Sequence, residues 1–147
     1  MGGIHVFGNL YSIDAELLTN LEELKNLVIE ATKIGNLNII DVLEKQFNVK
    51  DSKDLGGVSL IALLIESHLA LHTWPESNYA SLDIYSCGDT CEPVKSFKFL
   101  VEKLNPVRYD MFTFDRGWHN TYNPVLYVFK NLQVLQVGIN LMYLMVY

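Results

Sequence analysis

One short stretch concentrates the groups that can move protons or attack carbonyls. Ser67-His68-Leu69-Ala70-Leu71-His72 holds a serine and two of the chain's four histidines. An imidazole trades a proton near neutral pH, and a hydroxyl beside one can serve as a nucleophile. In an extended strand Ser67, Leu69 and Leu71 share one face, and His68, Ala70 and His72 the other. A regular strand keeps Ser67 and His72 apart, so a bend or bulge between them is expected if they act together. The plainer reading has both histidines closing a buried strand with local hydrogen bonds. A serine hydrolase fits poorly, since no Gly-x-Ser-x-Gly elbow occurs. A zinc site from His68, His72, Cys87 and Cys91 is conceivable, but two histidines at i,i+4 on a strand do not converge, and no metal is expected. Cys87 is either a small buried hydrophobe or a proton donor or nucleophile at a strand end. Trp74-Pro75-Glu76 is either a surface turn with a packed tryptophan or a wall for a planar ligand, with Glu76 gripping hydroxyls.

The elements that must position these groups follow from hydrophobic spacing. Residues 4–11 alternate as a strand. Asp14 reads as an N-cap, and Leu17, Leu18, Leu21, Leu24, Val28 and Ile29 predict one helix over 14–34, closed by Gly35. Residues 37–47 read as a strand and 48–56 as a polar loop. The apolar run 57–65 predicts a central strand covered on both faces. Residues 79–87 alternate again, 92–104 have helical spacing, and 106–115 read as a last strand. The order β-α-β-β-β-β-α-β implies an α+β fold, a two-layer sandwich of a mainly antiparallel sheet with two helices on one face. One domain over 1–147 is expected. Its segment 119–147 is an unplaced, β-prone tail.

Composition narrows the partners. Half of the 147 residues are apolar and 19% charged, enough for a sizeable core. A net charge of −6 argues against nucleic acid and suits a small neutral or cationic substrate. Two cysteines are too few for a disulfide-stapled module. With neither a signal-peptide pattern nor an 18-residue apolar run, a cytoplasmic protein with no membrane partner is expected.

The stretch Glu66-Ser67-His68-Leu69-Ala70-Leu71-His72-Thr73-Trp74-Pro75-Glu76 resembles the processing-site motif of the small prokaryotic class of S-adenosylmethionine decarboxylase. Gly57-Val58-Ser59, ending eight residues before Ser67, and Asp83-Ile84-Tyr85-Ser86-Cys87-Gly88-Asp89, with Cys87 twenty after it, agree with that pattern. So do His5 and Leu10-Tyr11, and the likeness runs from about residue 4 to about 118. The resemblance implies a proenzyme that cleaves itself between Glu66 and Ser67, into a β chain of 1–66 and an α chain of 67–147. Ser67 becomes a pyruvoyl group, which takes the substrate amine as a Schiff base and serves as an electron sink for decarboxylation. By the same pattern Ser59 and His72 assist processing, His72 in proton transfer. Cys87 is the proton donor, Glu76 holds ribose hydroxyls and the freed Glu66 lines the pocket. The implied activity makes decarboxylated S-adenosylmethionine for polyamine and spermidine synthesis, in a homodimer with sites near the interface. Arginine or ornithine is the alternative substrate within the same chemistry, and a catalytically silent binding homologue is a third reading. Two segments depart from the pattern. Tyr11-Ser12-Ile13-Asp14 stands where Tyr-Gly-Cys-Asp is usual, and the polar loop 48–56 lacks the usual phenylalanine, leaving Phe47 twelve residues before Ser59.

Overall fold

The computed structural model describes residues 2–50, 54–65 and 67–117. The tail 119–147 and Glu66 therefore lie outside the described residues. Six strands form one sheet: β1 (Gly2–Tyr11), β2 (Ile39–Asn48), β3 (Leu55–Leu64), β4 (Ser67–Trp74), β5 (Tyr79–Cys87) and β6 (Arg108–Gly117), in the order β2-β3-β4-β5-β1-β6. All five neighbouring pairs are antiparallel. Helices α1 (Ala15–Thr19), α2 (Leu21–Ile34) and α3 (Pro93–Leu104) pack on one face. The α+β two-layer expectation holds, with three α-helices rather than two among the described residues.

The extra helix comes from one residue. Asn20 interrupts the expected 14–34 helix at φ −87°, ψ 86°. Its Oδ1 accepts from Glu23 N at 3.2 Å while its Nδ2 donates to Glu23 Oε2 at 2.9 Å. That is an N-cap reinforced by a side-chain bond to the same Glu23, while the Asn20 N–H closes α1 by donating to Leu17 O. Asp14 caps α1 as expected, accepting from Glu16 N at 3.0 Å. Gly35 does end α2, but at φ −86° its role is space rather than handedness. A Cβ there would lie 2.0 Å from Ser96 Oγ, where α3 crosses. Asn36, at φ 53°, makes the left-handed turn instead.

Alternation writes the core. Val6 and Leu10 of β1, Val58, Leu60, Ala62 and Leu64 of β3, Leu69 and Leu71 of β4, and Ala80, Leu82 and Ile84 of β5 are buried under the helices. They meet Leu18, Leu24, Val28, Phe97, Leu100 and Leu104. Thr73 is the polar exception: its Oγ1 accepts from Val58 N and donates to Leu18 O, both at 2.8 Å, tying α1 to the sheet. The run 57–65 is not covered on both faces. Ile61 and Leu63 are 40% and 48% exposed, because among the described residues every helix lies on the other side. The continuous apolar run therefore marks a strand with two apolar faces, one of them open.

Candidate active site

Every chemistry-bearing side chain that the spacing singles out on β1, β3, β4 and β5, apart from Ser67, projects from this open face. The register sets them in rows across the strands. The first row is Arg116–Gly3–Cys87 and the second Phe114–His5–Tyr85–His68–Leu63. The third is Phe112–Phe7–Asp83–Ala70–Ile61, and the fourth Asp110–Asn9–Ser81–His72–Ser59–Lys45. Tyr11, Tyr79 and Trp74 close the fifth.

The expected bend between Ser67 and His72 is absent. β4 pairs without a register shift on both sides, from Leu64↔Ser67 to Ser59↔His72 and from Ser67↔Ser86 to Trp74↔Tyr79. Continuous hydrogen bonding to two neighbours leaves a strand no room to bulge. Five residues then separate Ser67 from His72 by about 17 Å. The motif is thus divided between the two ends of β4, with His72 on the open face and Ser67 in register with the buried Leu64 and Ser86 of the other face.

At the far end His72 Nδ1 and Ser59 Oγ are 2.8 Å apart, cross-strand partners joined by a hydrogen bond. The Trp74 ring centroid lies 6.3 Å from that of His72 and 5.2 Å from that of Tyr79. Glu76 follows, exposed, on the single 3-10 turn Pro75–Ser77. Phe47, 47% exposed, lies two residues beyond Lys45, the partner of Ser59, at a bulge in β2.

At the near end Ser67 is the first residue of β4, directly after the short β3–β4 connection at 65–66. Cys87 lies next to Ser67's cross-strand partner, Ser86. The Cys87 thiol donates to the Tyr85 hydroxyl at 2.8 Å. One group of contacts was not apparent from spacing: Asp83 Oδ1 meets His5 Nε2 at 2.9 Å and His68 Nε2 at 3.1 Å. His5 lies 78 residues from Asp83 in sequence, and only the β1–β5 register joins them. Parity alone gives its signal, since all three occupy polar positions of alternating strands.

Between the ends runs a shallow groove of about 370 Å³, lined by Phe7, Asn9, Ala70, His72, Ser81 and Asp83 among others. The Phe7 and Phe112 rings stack at its edge, 5.3 Å apart. Cys87 and Cys91 are both free thiols. His72 is bound to Ser59 and Cys87 to Tyr85. Among the described residues no three histidine, cysteine, aspartate or glutamate groups are arranged to hold a metal ion. Nor, among them, is any helix long and apolar enough to cross a membrane.

Known proteins resemble this chain in sequence and in fold. The chain is 44% identical over 115 residues to the arginine decarboxylase proenzyme of Hyperthermus butylicus, covering 78% of each sequence. Its fold matches the crystal structure of adenosylmethionine decarboxylase from Aquifex aeolicus with a TM-score of 0.68 and 29% identity, over 83% of this chain and 97% of that one. The model of the S-adenosylmethionine decarboxylase family matches residues 4–117, which span every strand and helix described above except the first two residues of β1. The chain belongs to the S-adenosylmethionine decarboxylase family of decarboxylases, which work with a pyruvoyl group generated from their own chain.

Proposed function

We propose that this chain cleaves itself between Glu66 and Ser67, carries the pyruvoyl group at Ser67, and decarboxylates S-adenosylmethionine. Ser67 suits that group: it is the first residue of β4, and its cross-strand partner Ser86 directly precedes Cys87, whose thiol is able to donate a proton. The group supplies a keto carbon that accepts the substrate amine and the electrons left by carbon dioxide. The chain's own residues do the rest. His72, oriented by Ser59, moves the processing proton. Cys87 returns a proton to the substrate carbon. The observation that carries this reading is the Ser59–His72 bond, which joins two motif residues thirteen apart into one acid–base unit.

That unit lies about 17 Å along β4 from the serine of its own chain. The reading therefore includes a homodimer. A two-fold axis between two open faces, running across the strands, brings the first row of one copy over the fourth row of its partner. Each site then combines Cys87 and the β4 chain end at Ser67 of one protomer with Ser59, His72 and Glu76 of the other. Exposed Ile61 and Leu63 give such a face its apolar contact. Exposed aromatics near the Ser59–His72 end, Phe47 and Trp74, together with Glu76, favour a substrate with a flat base and ribose hydroxyls.

Arginine is the second reading, favoured by the 44% relative, whose name is arginine decarboxylase proenzyme. Both substrates are cationic amino acids and suit an acidic chain. Two measurements test the proposal. Denaturing mass spectrometry is expected to give fragments 1–66 and 67–147, the second blocked to N-terminal sequencing. Labelled carbon dioxide is expected from S-adenosylmethionine, with little from arginine or ornithine. A chain that stays intact overturns the processing, and release from arginine alone selects the second reading.

A further inference from the structure

Tyr85 is used by none of the roles above, yet it touches most of the near end. Its hydroxyl accepts from the Cys87 thiol at 2.8 Å. Its ring is packed on three sides. The Arg116 guanidinium lies 4.5 Å from the ring centroid, and the His5 and His68 rings lie at 5.9 Å and 6.4 Å. A guanidinium on an aromatic face holds the ring by cation–π attraction. The pair also has a place cut for it. Gly3 is the cross-strand partner of Cys87, and a Cβ at Gly3 would lie 2.7 Å from Cys87 Sγ, 2.7 Å from a Tyr85 ring carbon and 2.8 Å from its hydroxyl. A bare α-carbon is needed for the thiol and phenol to meet.

We infer that Tyr85 is the positioning residue for Cys87: its phenol fixes where the thiol hydrogen points, and holds the thiolate once that hydrogen is given away. The inference rests on the reading of Cys87 as proton donor. In the step, the Cys87 S–H bond breaks as a C–H bond forms at the substrate carbon, and the sulfur keeps the electron pair. The phenol O–H then turns to donate to that thiolate. The hydrogen bond with Cys87, aided by burial, holds the Tyr85 phenol above its ordinary value of 10.0. The donor is therefore present throughout the neutral range. The charged and titratable groups facing the pair are Arg116 from β6, His5 from β1 and His68 from β4, the two histidines sharing Asp83.

The test uses the self-cleaved protein in a Cys91→Ser background, so that iodoacetamide reads Cys87 alone. Tyr85→Phe keeps the ring and its Arg116 contact and removes only the hydroxyl. Its alkylation midpoint is expected to move up by about half a pH unit or more, since the thiolate loses its donor. Its kcat is expected to fall about tenfold with KM within about twofold. Gly3→Ala, which leaves both partners in place but pushes them apart, is expected to shift the alkylation midpoint in the same direction. An unmoved alkylation midpoint in Tyr85→Phe overturns the inference, whatever Cys87 does in turnover. Undiminished kcat in Cys87→Ala removes the proton-donor reading and, with it, the catalytic half of the inference, while alkylation of the Tyr85→Phe protein still reads the bond by itself.

Discussion

Ser59 and His72 are separated by thirteen residues yet share one hydrogen bond, because the β3–β4 connection fixes which residues face each other. Ser67 and His72 are separated by five and do not meet. The decisive quantity at this scale is strand rise, about 3.3 Å per residue, against hydrogen-bond reach of about 3 Å. It leads to a complementation experiment. Neither the Ser67→Ala chain nor the His72→Ala chain is expected to cleave alone. Co-expressed, they are expected to restore cleavage of the His72→Ala chain, whose Ser67 then meets the partner's intact His72. Two bands on a denaturing gel, traced to the His72→Ala chain by mass, report success. No cleavage in the mixture would place both groups in one protomer's site and rule out the two-protomer arrangement.

Among the elements, the turn after β1 carries a departure that the structure explains. Ser12 sits at φ 58°, in the left-handed region where a side chain costs about 1–2 kcal/mol and glycine almost nothing. The family pattern has glycine at that place. Ser12→Gly is expected to stabilise the protein by about 1 kcal/mol, read as a higher denaturation midpoint. Thr73 is the opposite case. Thr73→Val keeps the volume but leaves the Val58 amide and Leu18 carbonyl without their partner, at a cost of about 1–3 kcal/mol in the same assay. The ends of β1, β5 and β6 also predict alkaline sensitivity. Burial first, then the hydrogen bond to Asp110, holds Tyr11 above 10.0, and burial does the same for Tyr79. A folded value above the unfolded one gives stability that is whole below about pH 10 and lost as pH climbs through the folded value. Urea midpoints are expected to fall above pH 10, less steeply in Tyr11→Phe. An equal slope in both proteins would count against the Tyr11–Asp110 bond as its source.

For the whole molecule, the telling feature is a sheet whose second face carries reactive groups beside exposed Ile61 and Leu63. Helices bury one face, and the proposed partner buries the other. Leu63→Asp puts a charge at that contact. Sedimentation is expected to show a dimer for the parent chain and a monomer for Leu63→Asp, with self-cleavage reduced at least tenfold because each monomer holds half a site. A monomeric parent chain that still cleaves would rule out the shared arrangement.

The sequence by itself determined the class of fold, the six strands and the family. Period-two and period-3.6 patterns are local, and the rare residues of 66–76 identify the family without any geometry. It also marked the caps at Asp14 and the end at Gly35. It did not separate a helix of 14–34 from two helices split at Asn20, because an N-cap asparagine and an ordinary helical asparagine look alike until the backbone turns. It did not distinguish a strand buried on both faces from one with an apolar open face, since both read as an unbroken run over 57–65. Only the tertiary structure decided which residues meet. Register joined His5 to Asp83 and Cys87 to the neighbourhood of Ser67, and it held Ser67 and His72 apart. Pairing across strands depends on connection lengths and on two neighbours' hydrogen bonds at once, and no window along one strand contains that information.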